Sequence, residues 1–240
     1  GSRHLGTFGA LGAFSFFSNK NLAIGEGGMV VTDDDDLVER VRLLRSHGMT
    51  SLSWDRHRGH AAAYDVVALG FNYRIDEPRA ALGRSRLRTL DEATEQRLAL
   101  DARYRELLDG VDGLTPALAP ADGAHRAAHL FTIVLDGADR QAFRAALAEQ
   151  GVQTSVHYPP VHEFSTYRKD PPSLPVTERY GAHAVTLPLY AHMTEAQQDI
   201  VVAAARTANG PSETRPHIAH IQVIHPDDIA RFHKLGVAAN

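Results

Sequence analysis

The sequence predicts a mixed α/β chain built in more than one part. Three observations carry that expectation. Short β-branched or aromatic runs recur between segments with helical spacing. A cap, Asp33 or Asp34, stands before one helical segment, and Asp76, with Glu77 and Pro78 behind it, starts the longest one. A Pro-, Gly- and Ala-rich connector at 110–123 separates a front half from a back half in which short strands and helices alternate. That alternation fits a small α/β or α+β domain.

Residues 13–17 (Ala-Phe-Ser-Phe-Phe) read as a short buried strand, 18–28 as a polar, glycine-rich turn holding Lys20, and 29–32 as a second strand. Asp33 or Asp34 then caps a helix that presents Leu37, Val41 and Leu44 on one face and ends at Gly48. The acids at 33–36 complement the dipole of that helix and read as such, not as a cation site. Residues 50–64 are irregular and basic, with Trp54, Arg56, His57, Arg58 and His60. Asp76, Glu77 and Pro78 open the longest helical segment, predicted to reach about residue 109. Its apolar positions are Leu82, Leu87, Leu90, Leu98, Tyr104 and Leu107.

Beyond the connector, strands are predicted at 129–135, 152–157 and 185–189, and helices at 139–150, 176–183 and 194–208. A proline-rich loop spans 159–175, and 209–212 is a linker. A strand at 217–224, a helix at 226–235 and a strand from 237 follow.

Composition excludes several classes of function. The 240 residues suffice for a substantial core, and 43% hydrophobic with 22% charged residues is globular chemistry, not disorder or a membrane bundle. The net charge of −4 offers no basic excess for nucleic acid or lipid headgroups. No cysteine is present, so disulfides, a thiolate nucleophile and a cysteine zinc site are excluded, and a cytoplasmic location fits. The longest apolar run, around 8–17, is broken by glycines and too short to span a bilayer. The chain opens without an initiator Met or signal peptide and stops at Asn240, directly after a run that looks like strand interior. Its length is therefore expected to be that of a piece of a longer protein.

Known phosphate loops do not fit. Gly25-Glu26-Gly27-Gly28 precedes a strand, whereas a dinucleotide-binding loop follows one and opens a helix. Lys20 lies between Asn19 and Asn21, not in Gly-Lys-Ser/Thr. Lys20 is the most informative residue. It is either a solvated surface lysine or one held among apolar walls, where desolvation lowers its pKa and suits it to Schiff-base chemistry. Ser15, five residues upstream, can serve a phosphate or a backbone carbonyl. The 14 histidines do not make a metal site in residues 1–210: His162-Glu163 has Thr166 where a zinc-protease motif needs its second His. His157-Tyr158, stiffened by Pro159-Pro160, can line a cleft or stand at the core edge. Asn72 and Arg74 of Phe71-Asn72-Tyr73-Arg74 can contact an anion or merely lead into a capped helix.

Several motifs occur in one order. They are Phe14-Ser15-Phe16-Phe17-Ser18-Asn19-Lys20-Asn21-Leu22 with Gly25-Glu26-Gly27-Gly28, Arg42-Leu43-Leu44-Arg45-Ser46-His47-Gly48, and Gly70-Phe71-Asn72-Tyr73-Arg74-Ile75. Ala80-Ala81-Leu82-Gly83, Val156-His157-Tyr158-Pro159-Pro160 and Leu187-Pro188-Leu189-Tyr190 follow. Across residues 3–208 this pattern resembles the DegT/DnrJ/EryC1/StrS aminotransferases, pyridoxal-phosphate enzymes that aminate keto-sugar nucleotides, typically with glutamate as donor. The resemblance implies a type I pyridoxal-phosphate transferase fold, truncated. Residues 1–110 would be the rear of the cofactor-binding domain with its long connecting helix, and 111–210 a small C-terminal domain. It implies that Lys20 forms the Schiff base with the cofactor and shuttles the substrate proton, and that Ser15 binds the cofactor phosphate. Asn72 would reach the phosphate of the neighbouring subunit's cofactor, which makes a homodimer part of the active site. His157 and Tyr158 would border the substrate cleft. Relatives with His in place of the lysine are dehydratases, and Lys20 argues against that branch.

Two departures stand beside the resemblance. In the family, a long stretch before the lysine carries a phosphate-cradling turn, an aromatic that stacks on the cofactor ring and an Asp that pairs with its pyridine nitrogen. Lys20 is nearly N-terminal here, so the chain alone is expected to be a weak or inactive aminotransferase. Residues 211–240 form a foreign tail, and 215–240 resemble one strand-helix unit of an amidohydrolase barrel, with His220 at a metal-ligand position. One such unit cannot complete a metal site. The rival readings are a catalytically incompetent fragment and, from the tail alone, a metal-dependent amidohydrolase module.

Overall fold

A computed structural model describes residues 4–50, 64–117, 126–167, 172–210, 217–218 and 238–239. The chain divides into two units, Gly1–Glu92 and Ala93–Asn240.

In the first unit, β1 (Gly12–Ser15) and β2 (Gly28–Val31) form an antiparallel ribbon in which Gly12 faces Val31 and Ser15 faces Gly28. A side chain at Gly12 would strike the carbonyl oxygen of Gly6, so glycine is required there by close backbone approach. Helix α1 (Asp35–Leu44) is capped by Asp34, whose carboxylate accepts from the Leu37 N–H at 3.1 Å. Asp76 caps α2 (Glu77–Leu87) in the same way, with Pro78 in the first turn.

The helix expected over 76–109 is two helices, α2 and α3 (Leu90–Leu108). The Arg88 and Thr89 N–H groups bond three residues back, to Ser85 and Arg86 carbonyls, and close α2 in a tight turn. The division between units falls in the first turn of α3, ahead of the 110–123 connector, because α3 buries Leu100, Asp101, Tyr104 and Leu108 within the second unit.

The first unit buries little. Neither α1 nor α2 contains a buried residue, and among the described residues of the unit the buried apolar side chains are Ala23 and Ile24. Phe14 and Phe17 are 37% and 41% exposed, so the strand expected at 13–17 is not a buried one. A two-stranded ribbon offers no second layer to cover them.

The second unit holds a three-stranded antiparallel sheet of β3 (Leu114–Pro116), β4 (Phe131–Leu135) and β5 (Ala184–Leu187), with β4 central. β3 lies inside the connector, where proline had argued against structure; Pro116 is tolerated because β3 is an edge strand. The strand expected over 152–157 reduces to one bridge, Ser155 to Thr186. Three further helices are α4 (Arg140–Glu149), α5 (Pro175–His183) and α6 (Glu195–Ala208). Phe131, Ile133, Val185 and Leu187 share one sheet face and join Leu100, Tyr104, Leu108, Phe143, Leu147, Val201 and Val202 in a single core.

Polar groups in this core are paired. Tyr104 donates to the Pro188 carbonyl at 2.9 Å, and burial pushes its phenol well above the usual range. Gln198 donates to the Leu100 carbonyl at 2.7 Å. Burial pushes the Asp101 carboxyl up, but hydrogen bonds from Arg126 (2.6 Å) and Arg105 (2.9 Å) and the charges of both outweigh it and hold the carboxyl below its usual value. In the tail, β6 (His217–Ile218) pairs in parallel with β7 (Ala238–Ala239). The helix expected at 226–235 and His220 lie outside the described residues. Among the described residues, no helix is long and apolar enough to cross a membrane.

Candidate active site

Ser15 closes β1, and the chain then folds into a turn stitched by backbone hydrogen bonds. Phe16 N–H donates to Gly27 O, Lys20 N–H to Phe17 O and Ile24 N–H to Phe16 O, each at 2.9 Å. Gly25 adopts a φ of 90°, a conformation glycine takes without penalty. These bonds set the backbone of Lys20 directly, and its side chain is half-buried. The Ser15 Oγ accepts from the Phe17 N–H at 3.3 Å, which leaves its own hydroxyl proton free to donate outward. The aromatic neighbours Phe14 and Phe17 are partly exposed, so of the two readings of Lys20 this unit does not supply the one with closed apolar walls.

Asn72 is positioned by the end of α1. The last helical carbonyls need donors. Leu44 O accepts from the Phe71 N–H at 2.7 Å and Arg45 O from the Tyr73 N–H at 2.9 Å, while the His47 N–H donates to Phe71 O at 2.9 Å. Asn72 thereby stands opposite Ser46 in an antiparallel bridge. Two glycines permit the approach: a Cβ at Gly48 would lie 1.9 Å from Ala68 O, and one at Gly70 would lie 2.2 Å from the Gly48 nitrogen. The Phe71 and Tyr73 rings stack at 4.9 Å, and Asn72 is exposed.

His157 and Tyr158 belong to the second unit. The His157 Nδ1 lies 2.9 Å from the Thr186 Oγ1, which is 3.3 Å from the Thr132 Oγ1. Both threonines are buried on the sheet face opposite the core residues Phe131 and Val185. Tyr158 is exposed and meets the His157 ring edge-on at 4.8 Å. The structure thus brings Ser15 and Lys20 onto one segment, Asn72 onto a second segment of the same unit, and the His157-Tyr158 pair onto the other unit.

Two positioning residues escaped the sequence reading. Ser46 is fully buried, and its Oγ accepts from the Arg74 Nη1 at 3.0 Å. Thr186 holds His157. The available signal for Thr186 was a hydroxyl in an otherwise apolar strand, Ala-Val-Thr-Leu. Ser46 stood inside a family block with no role attached to it. Among the described residues, no group of three or more His, Asp or Glu side chains is arranged to hold a metal ion.

A half-buried primary amine in a fixed turn, with a free hydroxyl at the end of the preceding strand, defines a class of site that can hold a phosphorylated carbonyl compound. The family follows from the sequence comparison. The profile of the DegT/DnrJ/EryC1/StrS aminotransferase family matches residues 1–206, and the chain belongs to that family. The spore coat polysaccharide biosynthesis protein SpsC of Bacillus subtilis is 34% identical over 214 residues, 85% of this chain and 55% of SpsC. Among solved structures, DesV of S. venezuelae shares 34% identity at a TM-score of 0.76, covering 88% of this chain and 54% of DesV. The aminotransferase TlmJ from Streptoalloteichus hindustanus shares 30% at 0.78, covering 86% and 54%. The chain therefore spans about half the length of the relatives it matches. Aminotransferases of this family depend on pyridoxal phosphate. The donor set here suits the two ends of that cofactor: an amine for its carbonyl carbon, and a hydroxyl and an amide for its phosphate.

Proposed function

We propose that this chain is the lysine-bearing portion of a pyridoxal-phosphate aminotransferase that moves an amino group, from glutamate, to a keto-sugar nucleotide in surface-glycan or secondary-metabolite sugar biosynthesis. The observation that carries the reading is the turn holding Lys20, with the Ser15 hydroxyl five residues ahead of it, in a chain of this family. When bound, pyridoxal phosphate supplies the electron sink for carbanion chemistry. The Lys20 Nζ binds the cofactor covalently and moves the proton at the substrate carbon. The Ser15 hydroxyl donates to the cofactor phosphate. The Asn72 amide donates to the phosphate held by a second copy, so the working unit is a homodimer. His157 and Tyr158 border the sugar-nucleotide cleft. Residues 1–110 belong to the cofactor-binding part, with α3 as the connecting helix that packs into the second unit, and 111–210 form the small domain.

The test is chemical trapping. The purified chain is incubated with pyridoxal phosphate, reduced with borohydride and mapped by mass spectrometry. The expected result is one pyridoxyl adduct, on Lys20, that Lys20→Ala abolishes. No adduct, or an adduct that persists in Lys20→Ala, overturns the cofactor assignment.

A further inference from the structure

Ser46 combines two properties that the cofactor reading does not use. Its side chain is 1% exposed, at the end of α1. Its Oγ accepts from Arg74, a residue 28 positions away with an exposed side chain. A surface arginine ordinarily samples many rotamers. Here one guanidinium N–H is tied to a hydroxyl that the backbone itself immobilises: the Ser46 N–H donates to Leu43 O at 3.1 Å, and Ser46 O accepts from the Met49 N–H at 3.2 Å.

The direction of the tie matters. Ser46 and Asn72 are opposed residues of an antiparallel bridge. Opposed residues project their side chains to the same face, with Cβ atoms about 4.5–5.5 Å apart. By bonding to Ser46, Arg74 brings its guanidinium to the Asn72 side of the segment. A guanidinium carries five N–H donors in a planar fork, and the bond to Ser46 engages one of them. An exposed amide donor and a tethered, exposed cationic fork then belong to one face of the segment, a donor set that suits an oxyanion.

We propose that Ser46 is a positioning residue. Its buried hydroxyl holds Arg74 beside Asn72, so that the two bind one oxyanion as a preset pair. The inference rests on the reading of Asn72 as an anion ligand. The oxyanion is either a phosphate, as on the cofactor, or the carboxylate of the amino-acid donor.

The test uses the full chain and three variants: Ser46→Ala, Arg74→Lys and the double substitution. The Asn72 side-chain amide is followed by NMR during titration with inorganic phosphate and, separately, with glutamate. The titrant that shifts Asn72 identifies the source of the oxyanion. Ser46→Ala is expected to weaken that binding about five- to tenfold, because the guanidinium is no longer held and must be ordered on binding. Arg74→Lys is expected to do the same, and the double variant to bind no worse than Arg74→Lys alone, because Ser46 acts only through the fork. Ser46→Thr, which keeps the hydroxyl, restores affinity. A second readout needs no ligand: the Arg74 guanidinium signals, resolved in the wild type because the Nη1 is held, collapse to an averaged signal in Ser46→Ala. Affinity unchanged in Ser46→Ala, additive losses in the double variant, or Arg74 signals that do not respond to Ser46→Ala would each overturn the proposal while leaving Asn72 an anion ligand. If neither titrant shifts Asn72 in the wild type, the anion reading of Asn72 fails and takes the pair with it.

Discussion

The two units solve different problems. The second closes one core over its own sheet: Tyr104, Phe131, Ile133, Leu147 and Val185 are all 1% exposed or less. The first carries the lysine and the asparagine, yet its helices α1 and α2 hold no fully buried residue and large apolar side chains, including Met29, Val30, Phe71 and Tyr73, stand open. Burial of apolar surface stabilises the one; backbone hydrogen bonds and glycine approaches order the other. The comparison teaches that the geometry of Lys20 and Asn72 is written in the main chain, whereas the strength of the molecule resides in the unit that carries His157.

Five substitutions test that contrast, the largest effect first. Phe131→Ala is expected to cost about 3–5 kcal/mol in urea unfolding, because it empties a sealed position. Phe14→Ala should cost under about 1 kcal/mol, since its ring is already part solvated. Equal losses would break the comparison.

Asp101→Asn should cost about 2 kcal/mol, less than a fully buried pair because both arginines are partly exposed. The pH dependence has a definite sign. The folded carboxyl titrates below its unfolded value of about 3.9, so its contribution is present above that pH and drains away as acid takes the medium through the lower folded value. Unfolding midpoints measured from pH 6 to pH 2 should fall less steeply in Asp101→Asn than in the wild type.

Gly48→Ala should cost about 1–3 kcal/mol locally, through a φ of 69° and the collision with Ala68 O. Hydrogen exchange should show faster amides at 46–49 and 66–73 with β4 unchanged. A loss of β4 protection along with them would mean that the units share one cooperative transition. Thr194→Ala should cost about 1 kcal/mol, because it removes a capping box in which Gln197 answers Thr194.

Much of the helical architecture was legible because caps are local. Asp34, one of the two acids expected to cap α1, does so, and Asp76, Asp139 and Thr194, where helical segments were expected to begin, cap α2, α4 and α6. The break between α2 and α3 was not, since Leu87-Arg88-Thr89-Leu90 contains neither glycine nor proline. Strand β3 was hidden by the proline that its edge position permits. The depth of Phe14 and Phe17 was misjudged because a run of aromatics tells of a buried face only when a second layer exists to bury it. At the site, Lys20, Ser15 and Asn72 were singled out by motif order, and no periodicity would have selected them. Ser46 shows the limit of that approach. A serine at the end of a helix looks like any other until a residue 28 positions later is seen to reach it.

The clasp between α1 and the Asn72 segment also has a consequence for how the chain can vary. The Thr50 N–H donates to Asp65 O at 2.9 Å, the Asp65 N–H returns to the Thr50 Oγ1 at 3.0 Å, and the Val67 N–H reaches Gly48 O at 3.0 Å. These bonds run almost wholly through the main chain, so exposed side chains such as Val66 and Val67 can be exchanged without loosening them. The sequence can vary there while Asn72 and Arg74 keep their register.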